Sequence, residues 1–174
     1  MSSYGKEDPL EPSASRPHMP GYGISPANIG IGLLPWSWAV ERVARSHYYW
    51  ISTVRPSGRP HVMPVWGVWL DEHMWFSSSG GSRKTLNLES NPWAAVSTDD
   101  ATEPVVMEGT ATRVSSAAEP GAVRAFADAV NAKYGTEYPV DFFMENATFR
   151  LKPDRVFGLS ERDFDSSPTR WTFI

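Results

Sequence analysis

Met74-Trp75-Phe76-Ser77-Ser78-Ser79-Gly80-Gly81-Ser82-Arg83-Lys84 begins as a strand and ends at the mouth of a helix. Residues 74–77 are short and aromatic-rich, as a strand is, and the serine and glycine run behind them supports neither regular structure. A short helix is expected over residues 84–89, stopped by Asn91-Pro92 because the residue before a proline is driven out of the helical region. The first turn of any helix carries amides without an intrahelical acceptor. Hydroxyls from Ser77, Ser78 and Ser82, glycines that let backbone approach, and the adjacent cations Arg83 and Lys84 are gathered at that point. The segment therefore reads as an anion cradle suited to phosphate, with Arg83 able to grip two oxygens and Lys84 adding a point charge. A flexible turn with solvated charges has the same composition, and the glycine spacing is not that of a Walker loop.

Upstream, residues 48–54 form a strand that stops at Pro56-Ser57-Gly58, a turn signal. In the return segment, residues 61–70, both alternating sets are apolar: Val62, Trp66, Val68 and Leu70 on one face, Met63, Val65 and Trp69 on the other. Neither face is expected in water, which suggests a barrel interior on one side and a second subunit or ligand on the other. Pro64 donates nothing to a ladder and should mark a bulge or interruption. Ahead of this hairpin Trp36, Ala39, Val40, Val43 and Ala44 fall on one face of a helix.

Downstream, residues 93–98 and 104–115 read as a second hairpin around the acidic turn 99–103. Pro120 opens a helix with Val123, Phe126, Ala127, Val130 and Tyr134 on one face, and Gly135 caps it. Final strands are expected over 148–151, 156–160 and 170–173. The expected fold class is thus mainly β with peripheral helices, an α+β arrangement, in one domain over residues 35–174. Residues 1–34, with five prolines, form an extended Pro/Gly-rich arm. Its part from Ile24 to Leu34 is apolar enough to dock, whereas the first twenty residues look solvated.

Composition narrows the function. Sixteen Lys and Arg against twenty Asp and Glu, with no basic run, exclude a broad footprint for nucleic acid. The absence of cysteine excludes disulfides, thiolate nucleophiles and cysteine zinc sites. No stretch of 18 apolar residues and no secretory leader pattern occur, so no membrane partner is expected and the location should be cytoplasmic. His18, His47, His61 and His73 are scattered without metal-ligand spacing, so no metal is expected. No Gly-x-Ser-x-Gly elbow is present, and the carboxylates cluster in turns rather than as acid/base pairs. Glu108 reads as an exposed or ion-paired strand residue. Eight Trp, six Tyr and eight Phe imply buried surface beyond one small core, hence a homodimer. Trp66, Trp69 and Trp75 are available to wall a pocket for a planar ligand or to pack the core.

The order of hairpin, Ser-Arg-Lys turn, second hairpin, helix and closing strands resembles the pyridoxamine 5′-phosphate oxidase-like split-barrel superfamily over residues 36–173. The resemblance implies a homodimeric split β-barrel in which Ser82, Arg83 and Lys84 hold the phosphate of a flavin-type cofactor. It also implies that Ser77 and Ser78 touch the phosphate end. The strand His61, Val62, Met63, Pro64, Val65 and Trp66 would lie beside the ring, largely through its backbone. Where the FMN oxidases of this superfamily place a glutamine after the acidic turn, this chain has Pro104, which has no amide hydrogen and no side-chain donor. The Pro64-Val65-Trp66 run and the closing Thr169-Arg170-Trp171-Thr172-Phe173 look more like the branch that uses the deazaflavin coenzyme F420. The resemblance thus implies an F420-dependent reductase acting on a small, conjugated organic acceptor. The alternatives are an FMN-dependent oxidase or reductase and a non-catalytic carrier or sensor of a flavin-like ligand. It names neither the substrate nor a catalytic residue beyond those that position the cofactor.

Overall fold

In the computed structural model of this chain, residues 11–173 are described. The arm reading of residues 1–10, and Ile174 at the end of the expected domain, lie outside them. Nine antiparallel strands form one sheet: β1 (Ser13–Ser15), β2 (Tyr49–Val54), β3 (Pro60–Val65), β4 (Gly67–Leu70), β5 (His73–Ser78), β6 (Trp93–Thr98), β7 (Val105–Arg113), β8 (Ala147–Gly158) and β9 (Thr169–Thr172). Among the described residues four α-helices flank it: α1 (Trp36–Arg45), α2 (Arg83–Ser90), α3 (Pro120–Tyr134) and α4 (Val140–Glu145). The main path runs β1-β9-β8-β7-β6-β2-β3, and β5 joins β8 while carrying β4 on its other side. Because β4 follows β3 in the chain, the covalent link at Trp66 brings the two ends of the curled sheet together, and the sheet is a split barrel of the expected class.

Alternation decides what fills it. Tyr49, Ile51 and Thr53 of β2 turn inward and are buried, while Trp50 and Val54 are exposed. Phe76 of β5 and Phe149 of β8 stack at 5.5 Å inside, alongside Met74, Val96, Met107, Leu151, Val156 and Trp171. Helix α1 closes one end with Ala39 and Val43; Ala44, expected on that face, is exposed. Helix α3 lays Val123, Phe126, Ala127 and Val130 on the outer side of β4 and β5 against Val68 and Trp75. It starts with proline at its first turn and ends at Gly135 in the left-handed region, as expected.

Three further expectations are corrected. The return segment is two strands, because the chain kinks at Trp66: β3 stays with β2 (Tyr49↔Val65) while β4 pairs with β5 (Gly67↔Phe76). Val62, Met63, Pro64 and Trp66 are exposed on this chain, so the doubly apolar pattern marks a sheet edge and outer face uncovered within one chain. The strands expected over 148–151 and 156–160 are one twelve-residue strand, β8. A register shift between Glu108 and Gly109 of β7 absorbs the irregularity at Pro153, and Gly109 packs so tightly there that a Cβ would lie 2.0 Å from the Lys152 carbonyl oxygen. The first half of β8 pairs with β5 and the second with β9. Finally, the arm joins the sheet earlier than expected, since β1 pairs with β9 and Arg16 donates to the Pro168 carbonyl at 2.5 Å. Its later part docks as expected: Ser25 N–H donates to Asp165 O at 2.7 Å, and buried Leu34 donates to Thr169 Oγ1 at 2.9 Å. No helix among the described residues is long and apolar enough to cross a membrane.

Candidate functional site

The Ser/Gly turn joins β5 to α2, and Ser82 is the cap of that helix. Its hydroxyl accepts from Thr85 N–H at 3.4 Å, lies 2.8 Å from the Ser78 hydroxyl and donates to Thr85 Oγ1 at 3.0 Å. Thr85 Oγ1 in turn donates to Ser79 O at 2.9 Å, so buried side chains fix the turn from beneath. A Cβ added at Gly80 or Gly81 would meet nothing within 4 Å, which leaves the outer side of the turn open. The hydroxyls, the first-turn amides and the cations Arg83 and Lys84 meet at this mouth.

A buried tether sets the distance from α2 to the first hairpin. Asn87 is fully buried on α2 and donates to Thr53 Oγ1 of β2 at 2.9 Å, and Thr53 is 3.4 Å from the His61 carbonyl. His61 of β3 thereby comes into the field of Arg83 and Lys84, with Arg55 from the hairpin turn as a third cation. The His61 ring is held below the ordinary histidine pKa by desolvation first, then by Arg55, Lys84 and Arg83. Its Nδ1 is covered and unpartnered although part of the ring remains exposed. Burial likewise lowers the Lys84 ammonium from its ordinary value. Among the described residues neither Arg83 nor Lys84 forms an ion pair. Three cations and a histidine without a local carboxylate partner are what a multivalent anion neutralises.

A cavity of about 250 Å3 opens beside the end of β5, lined by Trp66, Ser77, Phe126, Val130, Tyr138, Phe142 and Phe143. Trp66 stacks flat on Tyr134 of α3, with centroids 4.3 Å apart and planes 5° from parallel. Tyr138 and Phe142 stack at 4.9 Å on the opposite wall. Ser77 lines the cavity and Ser78, the next residue of β5, meets Ser82, so the aromatic recess and the charged mouth are carried by consecutive residues at one strand end, on its alternate faces. This arrangement suits an elongated ligand with a phosphate and a flat, conjugated body.

Of the residues singled out from sequence, Ser78, Ser82, Arg83, Lys84 and His61 converge at the mouth, and Ser77 and Trp66 at the recess. Val62 and Pro64 show their side chains on the outer face with Trp50, Met63 is exposed on the opposite face that it shares with Val65, and Val65 is buried in the barrel, leaving only its backbone for contact. Trp69 and Trp75 pack against the core clusters and do not line the recess. Pro104 lies just ahead of β7 and is not among the residues lining the recess. Sequence reasoning missed Arg55, the Asn87 tether and all of α4, whose Phe142 and Phe143 complete the recess. The signal for Asn87 was a polar residue between Thr85 and Leu88 on the buried face of a short helix. No group of acidic residues and histidines able to hold a metal occurs among the described residues.

Comparison with known proteins agrees with this architecture. The family profile described as pyridoxamine 5′-phosphate oxidase matches residues 39–159. A conserved hypothetical protein of Mycobacterium tuberculosis superimposes with a TM-score of 0.66 at 23% identity, over 74% of this chain and 86% of that one. A structure described as an F420 reductase does so with a TM-score of 0.55 at 24% identity, over 67% of this chain and 93% of that one. An FAD-binding protein of Mesorhizobium loti gives 0.59 at 16% identity, over 80% and 96%. At such identities the likeness is one of fold. No curated protein matches. The profile spans well over half of the chain and includes both hairpins, the Ser/Gly turn and the helix behind the recess; this protein belongs to the pyridoxamine 5′-phosphate oxidase family.

Proposed function

We infer that this chain is a cytosolic F420-dependent reductase that passes hydride to a small, conjugated organic acceptor. The observation that carries the reading is the cation cluster of Arg55, Arg83 and Lys84 at an open, serine-lined helix mouth beside an aromatic recess. In this reading Ser82, Arg83 and Lys84, with Ser77 and Ser78, hold the cofactor phosphate. The backbone from His61 to Trp66 lines the flat ring, and the side chains of Val62 and Pro64 face a second subunit. When bound, reduced F420 supplies hydride from the carbon that replaces flavin N5. The chain's part is to anchor the anionic end, to keep the ring flat against β3 and to exclude water with Trp66, Phe142 and Phe143. Hydride addition leaves the acceptor as an enolate or phenolate, and the proton that completes its reduction would come from solvent, since no acid/base pair lines the recess.

The deazaflavin is favoured over FMN by Pro104, which offers no donor where the FMN oxidases have glutamine, and by the F420 reductase among the structures of this fold. FMN is the second reading, favoured by the family match itself. Titration of the purified apo-protein with each cofactor by fluorescence is expected to show tighter binding of F420, and reduced F420 should be reoxidised when quinone or enone acceptors are added. Tight FMN binding without F420 affinity would replace the reductase by the FMN reading. Binding of F420 without turnover of any acceptor would make the chain a carrier.

A further inference from the structure

Gly67, the first residue after the kink, is held by α3 through both of its backbone polar groups. Its N–H donates to Tyr134 Oη at 2.9 Å, and its carbonyl oxygen accepts from Lys133 Nζ at 3.0 Å. Tyr134 Oη also lies 2.8 Å from the His47 carbonyl, to which it donates. Lys133 Nζ donates to Tyr49 Oη at 2.6 Å, and Tyr49 donates to Val43 O at 2.5 Å. The two peptide groups that flank the Gly67 Cα are therefore gripped by the last turn of α3. No side chain fits at position 67, where a Cβ would come within 2.7 Å of the Trp75 carbonyl oxygen. Trp66, one residue earlier, lies flat on the ring of Tyr134, the same residue that holds the Gly67 amide.

We propose that Lys133 and Tyr134 are positioning residues that hold Trp66 as a fixed wall of the recess and so select a flat acceptor. The role of the recess as an acceptor pocket rests on the reductase reading; the grip on Trp66 does not. Lys133 is half-buried with no carboxylate in contact, and its ammonium is the charge-assisted donor in the grip. The groups facing it are Tyr49 from β2 and Tyr134 from α3, with Asp99 from the turn after β6 acting through its field; His47 and Tyr48 from the loop after α1 bear on Tyr134. Asp99 is engaged by Ser46 Oγ at 2.6 Å and Tyr48 N–H at 3.3 Å, and it reaches Lys133 only through its field. Burial pushes the Lys133 ammonium down to about 8, against the smaller upward pull of Asp99, and burial pushes the Tyr49 hydroxyl up. The grip thus loses its charge within an accessible pH range, while Tyr49 stays protonated.

The test is 19F NMR of the full chain labelled with 5-fluorotryptophan, with Trp66 assigned by W66F. K133M is expected to shift or broaden the Trp66 resonance while the other tryptophans stay in place, and K133R, which restores a permanent cation, should return it. In the wild type the Trp66 resonance should titrate with a midpoint near pH 8, and that step should vanish in both variants. A Trp66 resonance unmoved by K133M, or displaced as far in K133R as in K133M, would overturn the proposal. So would a wild-type resonance that stays flat from pH 6.5 to 9.5. Because no cofactor is added, failure here is separate from failure of F420 to bind.

Discussion

At the residue scale, the site is a problem of uncompensated charge. Arg83 is solvent-exposed and Lys84 half-buried, and both lie in the field that depresses His61. The double variant R83A/K84A should keep the fold, because the turn is fixed from beneath by Ser82, Thr85 and Asn87. It should weaken cofactor binding by roughly ten- to a hundredfold for each well-formed charged contact removed. The same variant should raise the His61 pKa towards its ordinary value, since two of the three charges that lower it are gone; histidine proton NMR against pH reads this directly. Unchanged affinity would move the phosphate site elsewhere. The cations, hydroxyls and glycines were legible in the sequence because they are contiguous. Arg55 was not, since only the pairing of β2 with β3 carries it back towards α2.

At the element scale, α2 is placed by one buried amide. Asn87→Ala removes the bond to Thr53 and leaves a small void, which should cost about 1–2 kcal/mol in chemical denaturation. It should also loosen the hold on the phosphate, as cofactor titration would show. A loss of stability with unchanged affinity would mean that the tether serves the fold alone. Periodicity served well for elements with two distinct faces: β6 and α3 were read at their observed limits, and β2 and β5 within a residue. It failed where topology overrides local pattern. Residues 61–70 are continuous by alternation, yet the sheet changes partners at Trp66, where only tertiary pairing, with β2 before it and β5 after it, shows the break. The gap expected between residues 151 and 156 is absent, because the shift at Gly109 keeps β8 paired past Pro153. Helix α4 is a six-residue segment, too short for a helical period to register.

At the scale of the whole molecule, the outer face of the β6-β2-β3 region is apolar and bare. Strand register places Trp50 opposite Pro64 and Ser97, with Val62 and Trp93 at the same parity, and Trp50, Val62 and Trp93 are 46%, 50% and 56% exposed. A second copy of this chain is the expected cover, and light scattering at micromolar concentration should give about twice the 19.4 kDa of one chain. A monomer would remove the support that this face gives to the dimer reading. How the copies meet is constrained by the two ends of the sheet path. At one end the chain's own arm, as β1, already occupies the rim of β9. At the other, β3 carries Pro60 and Pro64, which deny a newcomer two of the three backbone donors at that parity. Lateral strand-by-strand accretion is thereby discouraged at these two rims, and a pair of copies is expected to meet broadside, through side chains, in a contact that closes on itself. A protein with this much exposed tryptophan is in that way steered towards a finite pair and away from fibre-like growth.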